Sequence, residues 1–324
     1  MTGPVAQTSG RVRPRWRGML LAWGPLLLAA GVLLASGQTR AVARALGGAQ
    51  LAPTLALLGV GMVLPVVHAR RWQIMLRAVA ADVPLAEVVD MTVTASLVNY
   101  AVPGYAGSPV KGALARQFHD VGFGRSLPTL AAEQALDAAA LLLGAVVGMA
   151  LVWPTDGPAR AWLASLVDHS GTVLMISALV LALAAGAGLL AARRYAQRFT
   201  ERVVASGRML AGDRARRRPV LLLTAAYWGL NLAAVWLGAR AVGLTLAPVA
   251  LLLLANVPLL VGLVSPLPGG LGLREGAMAA IAAVVGVPVP GIVAAAVLHR
   301  GVLVLALPLT LAGARLVARR SRWA

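Results

Sequence analysis

The chain has 324 residues, of which 59% are hydrophobic and only 12% are charged, and its mean hydropathy is +0.81. A soluble domain of this length cannot bury so much apolar surface, so the composition predicts a membrane protein. The formal net charge of +18 does not indicate nucleic-acid binding, because the arginines lie beside apolar segments, where anionic lipid retains them. The chain has no cysteine and its four histidines lack metal-ligand spacing. We therefore expect neither a metal nor another cofactor.

The first apolar run extends from Met19 to Ala35 and follows four arginines in residues 11–18. This arrangement is typical of a signal peptide, but further apolar segments follow, so we interpret it as an uncleaved first helix. Full crossings are predicted wherever an apolar segment approaches the ~20 residues that a helix needs to span the bilayer core. They are residues 19–36, 51–68, 129–153, 172–192, 219–239 and 290–313.

Two further apolar segments, 86–102 and 249–267, end in similar sequences. The first runs into Pro103-Gly104-Tyr105-Ala106-Gly107, and the second runs into Pro268-Gly269-Gly270-Leu271-Gly272. Paired breaks in two halves of a membrane protein indicate a transporter whose binding site lies where the helices break. Pro-Gly pairs also mark ordinary loops between helices. The residues predicted to form the breaks are Pro103, Gly104, Gly107, Pro268, Gly269, Gly270 and Gly272.

The distribution of arginine predicts the orientation of the chain. Arginines concentrate in residues 1–18, in the loop 193–218 and in the tail 315–324, whereas the loop 154–171 carries one arginine and two aspartates. We therefore expect three basic cytoplasmic segments, which include both termini, and an outward-facing loop 154–171.

This orientation predicts that the two broken segments enter the membrane from opposite sides. The first half, about 51–153, and the second half, about 219–313, would then be inverted repeats within a single transmembrane domain, 19–314. The predicted fold is an all-α polytopic membrane protein with about six full transmembrane helices and two re-entrant broken-helix hairpins.

Charged residues inside apolar segments are costly and are candidates for function. Glu133 and Asp137 are four residues apart and share a helix face. Glu133 is near the cytoplasmic end and either lies at the headgroups or faces the substrate. Asp137 lies deeper, where it either forms a structural ion pair with an arginine of another helix or handles substrate or protons. Arg71-Trp72 is interpreted as a structural anchor at the membrane–water interface.

Further candidates surround the two breaks. Arg274 and Glu275 follow the second break, where the N-terminus of a half-helix and an arginine would suit a phosphate; Glu275 alternatively only compensates the helix dipole. Arg300, beside His299, lies inside the last span and is assigned a role in the substrate pathway. Lys111 follows the first break and either contacts a phosphate or extends to the cytoplasmic surface.

The sequence contains no Ser/His/Asp arrangement, no Walker loop and no paired acidic motif of a membrane glycosyltransferase. The loop 193–218 is too short to form an enzymatic domain. We therefore expect a protein that is not an enzyme.

The order of several motifs resembles one family. Arg71-Trp72, the segment from Asn99 to Gly107, Glu133 with Asp137, the run from Pro266 to Gly276, and Arg300 resemble the transmembrane domain of lysylphosphatidylglycerol synthases, including their stand-alone members. The resemblance covers roughly residues 60–315, and the second break is its specific part.

The resemblance implies a domain that flips aminoacylated phosphatidylglycerol between leaflets. No synthase domain is recognised in the sequence, so aminoacyl transfer is not implied. The first motif departs from the family pattern, because Ser108 stands where an acidic residue is common and Lys111 replaces an arginine. Since stand-alone members also accompany glycolipid and glycosyl transfer systems, a lysyl lipid is not assumed.

The sequence thus predicts a flippase-like translocase of the bacterial plasma membrane that moves a phosphate-bearing lipid, such as a phospholipid, an aminoacylated lipid or a glycolipid carrier. The phosphate is expected near Arg274, Arg300 and Lys111, with the acidic residues balancing these cations or taking up protons. The alternatives are a secondary transporter of a small anion and a membrane scaffold for a glycosyltransferase or cell-envelope enzyme. Expected partners are lipids with phosphate headgroups and, for the scaffold, an envelope-biosynthesis enzyme, but not nucleic acid.

Overall fold

A computed structural model describes most of the chain, and the described residues form nine α-helices, one short 3-10 turn and no strand. The described residues are 39–79, 81–101, 107–152, 214–264, 268–270 and 272–321. The predicted crossings 19–36 and 172–192, and the predicted break residues Pro103 and Gly104, lie outside them.

The helices fall into two halves with the same order of long and short elements. They are α1 (Thr39–Gly47), α2 (Leu51–Arg77), α3 (Leu85–Ala101), α4 (Gly107–His119), α5 (Phe123–Val152), α6 (Arg214–Ala241), α7 (Pro248–Val264), α8 (Leu273–Val284) and α9 (Val289–Ser321), with the 3-10 turn at Pro268–Gly270. The series α2 to α5 and α6 to α9 each run long, short, short, long.

Four helices, α2, α5, α6 and α9, are long and apolar enough to cross a membrane. They contain the predicted crossings 51–68, 129–153, 219–239 and 290–313 almost entirely, so the all-helical membrane class is confirmed. The prediction for α2 ends too early, because the helix continues to Arg77 through a polar stretch. That stretch is helical because its side chains are satisfied inside the protein: Gln73 Nε2 donates to the Val83 carbonyl at 2.7 Å.

The first pair of short helices, α3 and α4, forms an antiparallel hairpin. Near its tip the Gly107 N–H donates to Asn99 Oδ1 at 2.6 Å, and at its open end His119 Nε2 lies 3.0 Å from Glu87 Oε2. The 17 residues of α3 span about 25 Å, which is less than the ~30 Å hydrocarbon core. The helix α4 therefore runs back beside α3, as expected for a broken segment that does not cross the bilayer core.

The second pair, α7 and α8, repeats this arrangement. The beginning of α7 packs in one apolar cluster with the end of α8, through Ala250, Leu254, Met278 and Ala282. The helix α7 also has 17 residues and again covers only about 25 Å. Both predicted breaks thus separate two short antiparallel helices, and their depth in a bilayer stays a prediction.

The two halves run in opposite directions. The Gln50 N–H before α2 donates to the Ala241 carbonyl at the end of α6 at 2.7 Å, whereas Arg71, near the end of α2, reaches Thr224, near the start of α6, at 3.4 Å. The equivalent helices α2 and α6 are therefore antiparallel. Because α3 follows the end of α2 and α7 follows the end of α6, the open ends of the two hairpins lie at opposite ends of the bundle.

Each hairpin packs against the last long helix of the other half: α3 contacts α9, and α7 contacts α5. The tips of the hairpins meet in the middle, since a Cβ built on Gly269 would lie 3.0 Å from Tyr100 Cδ1. This crossed packing encloses the two breaks between the long helices.

Candidate functional site

A cavity of about 240 Å³ lies where the tips of the two hairpins meet. Its walls come from both halves of the chain, including α2, α4 and α5 of the first and α6, α8 and α9 of the second. The ionisable residues among its lining are His68, Tyr100, Lys111, Glu133, Asp137, Tyr227, Arg274 and His299. The buried charges divide into two groups, one in each half.

The first group, the paired cluster, consists of His68, Arg71, Lys111, Glu133 and Asp137. Glu133 is its centre: Lys111 Nζ donates to Glu133 Oε2 at 2.8 Å, His68 Nε2 lies 2.6 Å from Glu133 Oε1, and Arg71 Nη2 lies 3.5 Å from the same oxygen. Lys111 and Glu133 are each only 3% exposed. The carboxylate is therefore surrounded by basic groups inside the protein.

Asp137 lies one helical turn further along α5 and binds Arg71 through two hydrogen bonds. Arg71 Nη1 and Nη2 donate to its two oxygens at 2.6 Å and 2.9 Å, and Trp228 Nε1 donates to Oδ1 at 3.0 Å. The fork geometry is the strongest form of an arginine–carboxylate pair. Of the two interpretations of Asp137, the structure contains the ion pair with an arginine of another helix.

The interpretation of Arg71-Trp72 as an interfacial anchor is wrong. Both side chains are fully buried, and Trp72 Nε1 donates to Thr129 Oγ1 at 3.1 Å. The face of α2 that carries them turns toward α5, where the two acidic side chains supply partners for Arg71. Lys111 does not extend to the cytoplasmic surface either, because its ammonium group is held against Glu133 and lies 4.8 Å from the centre of the Trp72 ring.

The second group, the open cluster, consists of Arg274, Glu275, His299 and Arg300. Glu275 has two partners: Oε1 lies 2.8 Å from Arg300 Nη2, and Oε2 accepts the Gly272 N–H at 2.8 Å. Glu275 thus caps the start of α8, as its first-turn position suggests. The same Nη2 of Arg300 donates to the Gly269 carbonyl at 3.2 Å, which fixes the arginine against the break.

Arg274 differs from Arg71, Lys111 and Arg300 because it has no carboxylate partner among the described residues. Its aliphatic chain crosses Gly262 so closely that a Cβ on that glycine would lie 2.7 Å from Arg274 Cδ, and Gly270 allows a similar approach on the other side. Among the described residues, Arg274 has no ion pair, and its Nε makes no hydrogen bond. His299 Nε2 and Arg300 Nη1 also lack partners there. Arg274 and His299 line the cavity, and together with Arg300 they line a smaller pocket beside it. The second half therefore presents polar atoms without partners at both places.

The second break depends on glycine. Gly269, Gly270 and Gly272 have φ angles of +55°, +67° and +79°, which a residue with a Cβ adopts only at a cost. Gly107 at the first break is required for space instead, because a Cβ there would lie 2.5 Å from the Asn99 amide nitrogen. Pro268 begins the 3-10 turn.

Several site residues were not found from the sequence. His68, Tyr227 and Trp228 line the cavity. No pattern in the sequence pointed to Tyr227 or Trp228, and a single pattern pointed to His68. His68 and Arg71 are three residues apart and share a helix face, in the same way as Glu133 and Asp137. Gly262 carried no signal, because its importance comes from a side chain twelve residues later in the chain.

The chain matches the model of one protein family. The family model described as the lysylphosphatidylglycerol synthase TM region matches residues 19–313. Neither a curated protein nor a solved structure matches the chain. The matched region includes α2, α5 and α6, most of α9, both predicted breaks and both charge clusters. The chain therefore belongs to the family of the lysylphosphatidylglycerol synthase TM region, which agrees with the resemblance of its motifs.

Proposed function

We propose that the protein is a flippase-like translocase that moves a phosphate-bearing lipid between the leaflets of a membrane. The observation that carries the proposal is Arg274, a cation that has no acidic partner among the described residues and lines a cavity between two antiparallel halves. A cation without an anion is costly inside a membrane, and Arg274 is at least partly shielded from solvent. A phosphate group of the substrate would supply the missing anion.

The neighbours of Arg274 suit the same ligand. Arg300 Nη1 is a donor without a partner in the described part of the chain, and His299 Nε2 also has no partner there and can donate when it carries the ring proton. Glu275 holds Arg300 in place. Arginine binds phosphate through several charge-assisted hydrogen bonds. The phosphate would lie at the breaks, and the acyl chains would remain in the bilayer while the two halves rock about the site.

The distribution of arginine between the two ends of the bundle supports a location and an orientation of the protein in the membrane. Among the described residues, the end of the bundle where α2 ends and α6 begins carries most of the arginines, whereas the other end carries Arg40, Arg44 and Arg240. This asymmetry supports a bacterial plasma membrane protein whose α2 ends at the cytoplasm and whose termini are cytoplasmic. The arginines of the basic end are Arg70, Arg77, Arg116, Arg125, Arg216, Arg217, Arg218 and Arg315.

Single-cysteine labelling tests this orientation without a background, since the chain has no cysteine. Gly124→Cys, at the basic end, is expected to react with a membrane-impermeant maleimide only after the cells are opened. Thr245→Cys, between α6 and α7, is expected to react in intact cells. The reverse pattern would contradict the proposed orientation and leave the antiparallel packing of the halves unaffected.

Translocation is tested with purified protein in liposomes that contain fluorescent phosphatidylglycerol labelled on an acyl chain. Dithionite added outside reduces the label of the outer leaflet, and that of the inner leaflet only if lipids cross. Hydrogen bonds to charged groups contribute ~1.5–3 kcal/mol, so Arg274→Gln is expected to slow crossing at least about tenfold. Arg240→Gln removes the same charge from an exposed position and is the matched control.

The outcomes separate the proposal from its alternatives. Equal crossing by the wild type and Arg274→Gln would remove Arg274 from the site. No crossing by folded wild-type protein, together with uptake of soluble phosphate, would favour a transporter of a small anion. Absence of both activities would favour a membrane scaffold for an envelope enzyme, because a scaffold moves neither lipid nor solute.

A further inference from the structure

We infer that the cavity selects a headgroup that carries a phosphate anion and hydroxyl groups but no amine. The inference rests on the proposed function and narrows its substrate. It follows from the ion pairs of the two clusters: each acidic side chain has a basic partner, whereas one basic side chain, Arg274, has no acidic partner among the described residues. A phosphate ester of glycerol or of a sugar has the selected chemistry, whereas an ethanolamine or aminoacyl headgroup does not.

Every acidic side chain that lines the cavity, or the smaller pocket that shares Arg274 and His299 with it, is already bound to a cation of the protein, among the described residues. Glu133 is held by Lys111 at 2.8 Å, Asp137 by the fork of Arg71, and Glu275 by Arg300 at 2.8 Å. Because charges removed from water inside a protein are normally paired, an ammonium group of a ligand needs a carboxylate to balance its charge. No carboxylate is left for it without breaking an internal ion pair.

The bases are in excess over the acids at the same place. The two clusters contain four basic side chains besides the histidines, Arg71, Lys111, Arg274 and Arg300, and three carboxylates. The cation without a carboxylate is Arg274, and it lies beside the buried His299, which is only 8% exposed and whose Nε2 has no partner in the described residues. One anionic charge completes the site, and an additional positive charge would be repelled by Arg274.

The remaining polar lining is neutral and suits hydroxyl groups. Amide and hydroxyl side chains can both donate and accept hydrogen bonds, so they bind the hydroxyls of a glycerol or sugar without a charge. These residues lie between the two clusters and come from α3, α4, α5 and α6. They are Thr92, Ser96, Asn99, Ser108, Gln134 and Asn231.

The selectivity is tested with the wild-type protein in liposomes, by the dithionite assay, using acyl-labelled lipids that differ only in the headgroup. Phosphatidylglycerol is expected to cross at least about tenfold faster than phosphatidylethanolamine or lysylphosphatidylglycerol, because like-charge contacts in a desolvated site cost several kcal/mol. Equal rates for all three would overturn the inference and leave the translocase in place. Faster crossing of an amine-bearing lipid would also overturn it.

A second arm separates the inference from the translocase itself. In detergent, sn-glycerol 3-phosphate is expected to raise the apparent Tm of the protein, because a ligand that binds the folded state stabilises it. Phosphoethanolamine is expected to raise it less, and neither should act on Arg274→Gln. If no lipid crosses in liposomes, the translocase fails and this arm decides the selectivity. Equal stabilisation by both esters would overturn the inference.

The same two esters distinguish a lipid headgroup from a free solute. Uptake of labelled sn-glycerol 3-phosphate into protein-containing liposomes, without crossing of phosphatidylglycerol, would assign the selected chemistry to a soluble ester. Crossing of the lipid without uptake of the solute is the expected result.

A variant that removes an internal ion pair is expected to weaken the selection against amines. Lys111→Met removes the closest cation from Glu133 and leaves its carboxylate with one fewer partner. The difference in rate between phosphatidylglycerol and phosphatidylethanolamine is then expected to shrink by at least about tenfold. Arg77→Met, which removes a cation from an exposed pair with Asp82, is the control. Unchanged discrimination in folded Lys111→Met would contradict the role given to the ion pairs.

Discussion

The two halves of the protein have the same order of helices but use their buried charges differently. In the first half, Arg71 and Lys111 are bound to Glu133 and Asp137 over short distances, and His68, with Trp228 from the second half, adds further contacts to these carboxylates. In the second half, one carboxylate serves Arg300, and Arg274 is left without an acid among the described residues. The comparison supports our proposal that the open cluster receives the ligand, and it leads us to expect that the paired cluster supports the structure.

The difference arises from where the cations lie in the helices. Arg71 belongs to a long helix and faces the acidic side of α5, so its partners are already ordered. Arg274 lies in the first turn of α8, directly after the break, and its chain passes over Gly262. A cation on a broken helix can follow the movement of a hairpin, whereas one clamped between two long helices cannot.

The largest effect on stability is expected from Arg71→Met. It leaves the buried Glu133 and the partly buried Asp137 short of a cation, and breaking a buried ion pair costs ~3–5 kcal/mol. Thermal unfolding in detergent should show a large decrease in Tm, while Arg274→Met should leave the Tm nearly unchanged. Arg71→Met combined with Asp137→Leu should recover part of the loss. Similar Tm values for the two arginine variants would contradict the comparison.

A smaller effect on stability but a large effect on transport is expected from Gly262→Ala. The new Cβ would lie 2.7 Å from Arg274 Cδ, so the arginine must leave its position at the cavity, at a packing cost of ~1–3 kcal/mol. The dithionite assay should show crossing reduced about as much as in Arg274→Gln.

The control for this change is Gly229→Ala, at a helical glycine where a Cβ would meet nothing within 4 Å. Alanine is preferred to glycine in a helix by ~1 kcal/mol, so this variant should be as stable as the wild type or more stable, and equally active. Normal crossing by Gly262→Ala would show that the route of the Arg274 side chain is unimportant.

The long helices and the breaks could be predicted from the sequence, because both depend on local properties. Runs of apolar residues define α2, α5, α6 and α9, and the predicted breaks lie between α3 and α4 and between α7 and α8. The arginines predicted that the two halves run in opposite directions, and the bond between Gln50 and Ala241 agrees with this antiparallel packing. The orientation of the halves in a membrane stays a prediction.

The partners of the charges could not be predicted, because they depend on how distant helices pack. Nothing near Arg71 in the sequence indicates that Asp137 faces it from another helix, and so the arginine was interpreted as an anchor at the interface. In the same way, a lysine after a break has no local feature that distinguishes a surface position from the buried pair with Glu133. The sequence therefore identified most of the charged residues of the cavity and not the contacts that decide their roles.

A moderate effect is expected from Trp228→Phe. The change removes the hydrogen bond from Nε1 to Asp137, 3.0 Å long, and keeps most of the ring. Loss of one donor to a buried charge costs ~1–3 kcal/mol, which should lower the Tm by less than Arg71→Met does. Trp236→Phe, on the exposed face of the same helix, is the matched control. A decrease of equal size in both variants would show a general effect of the substitution rather than the loss of this bond.

The smallest effect is expected from Arg77→Ala, which tests whether any arginine of α2 would have behaved like Arg71. Arg77 Nε donates to Asp82 at 2.8 Å, but the two side chains are 44% and 79% exposed. An exposed ion pair contributes ~0–1 kcal/mol, because water already solvates both charges and the side chains lose entropy on pairing. The Tm should therefore remain within the error of the wild type, and added salt should not change the difference. A decrease comparable with that of Arg71→Met would mean that burial does not explain the importance of the paired cluster, because the two arginines lie on one helix and differ chiefly in their access to water.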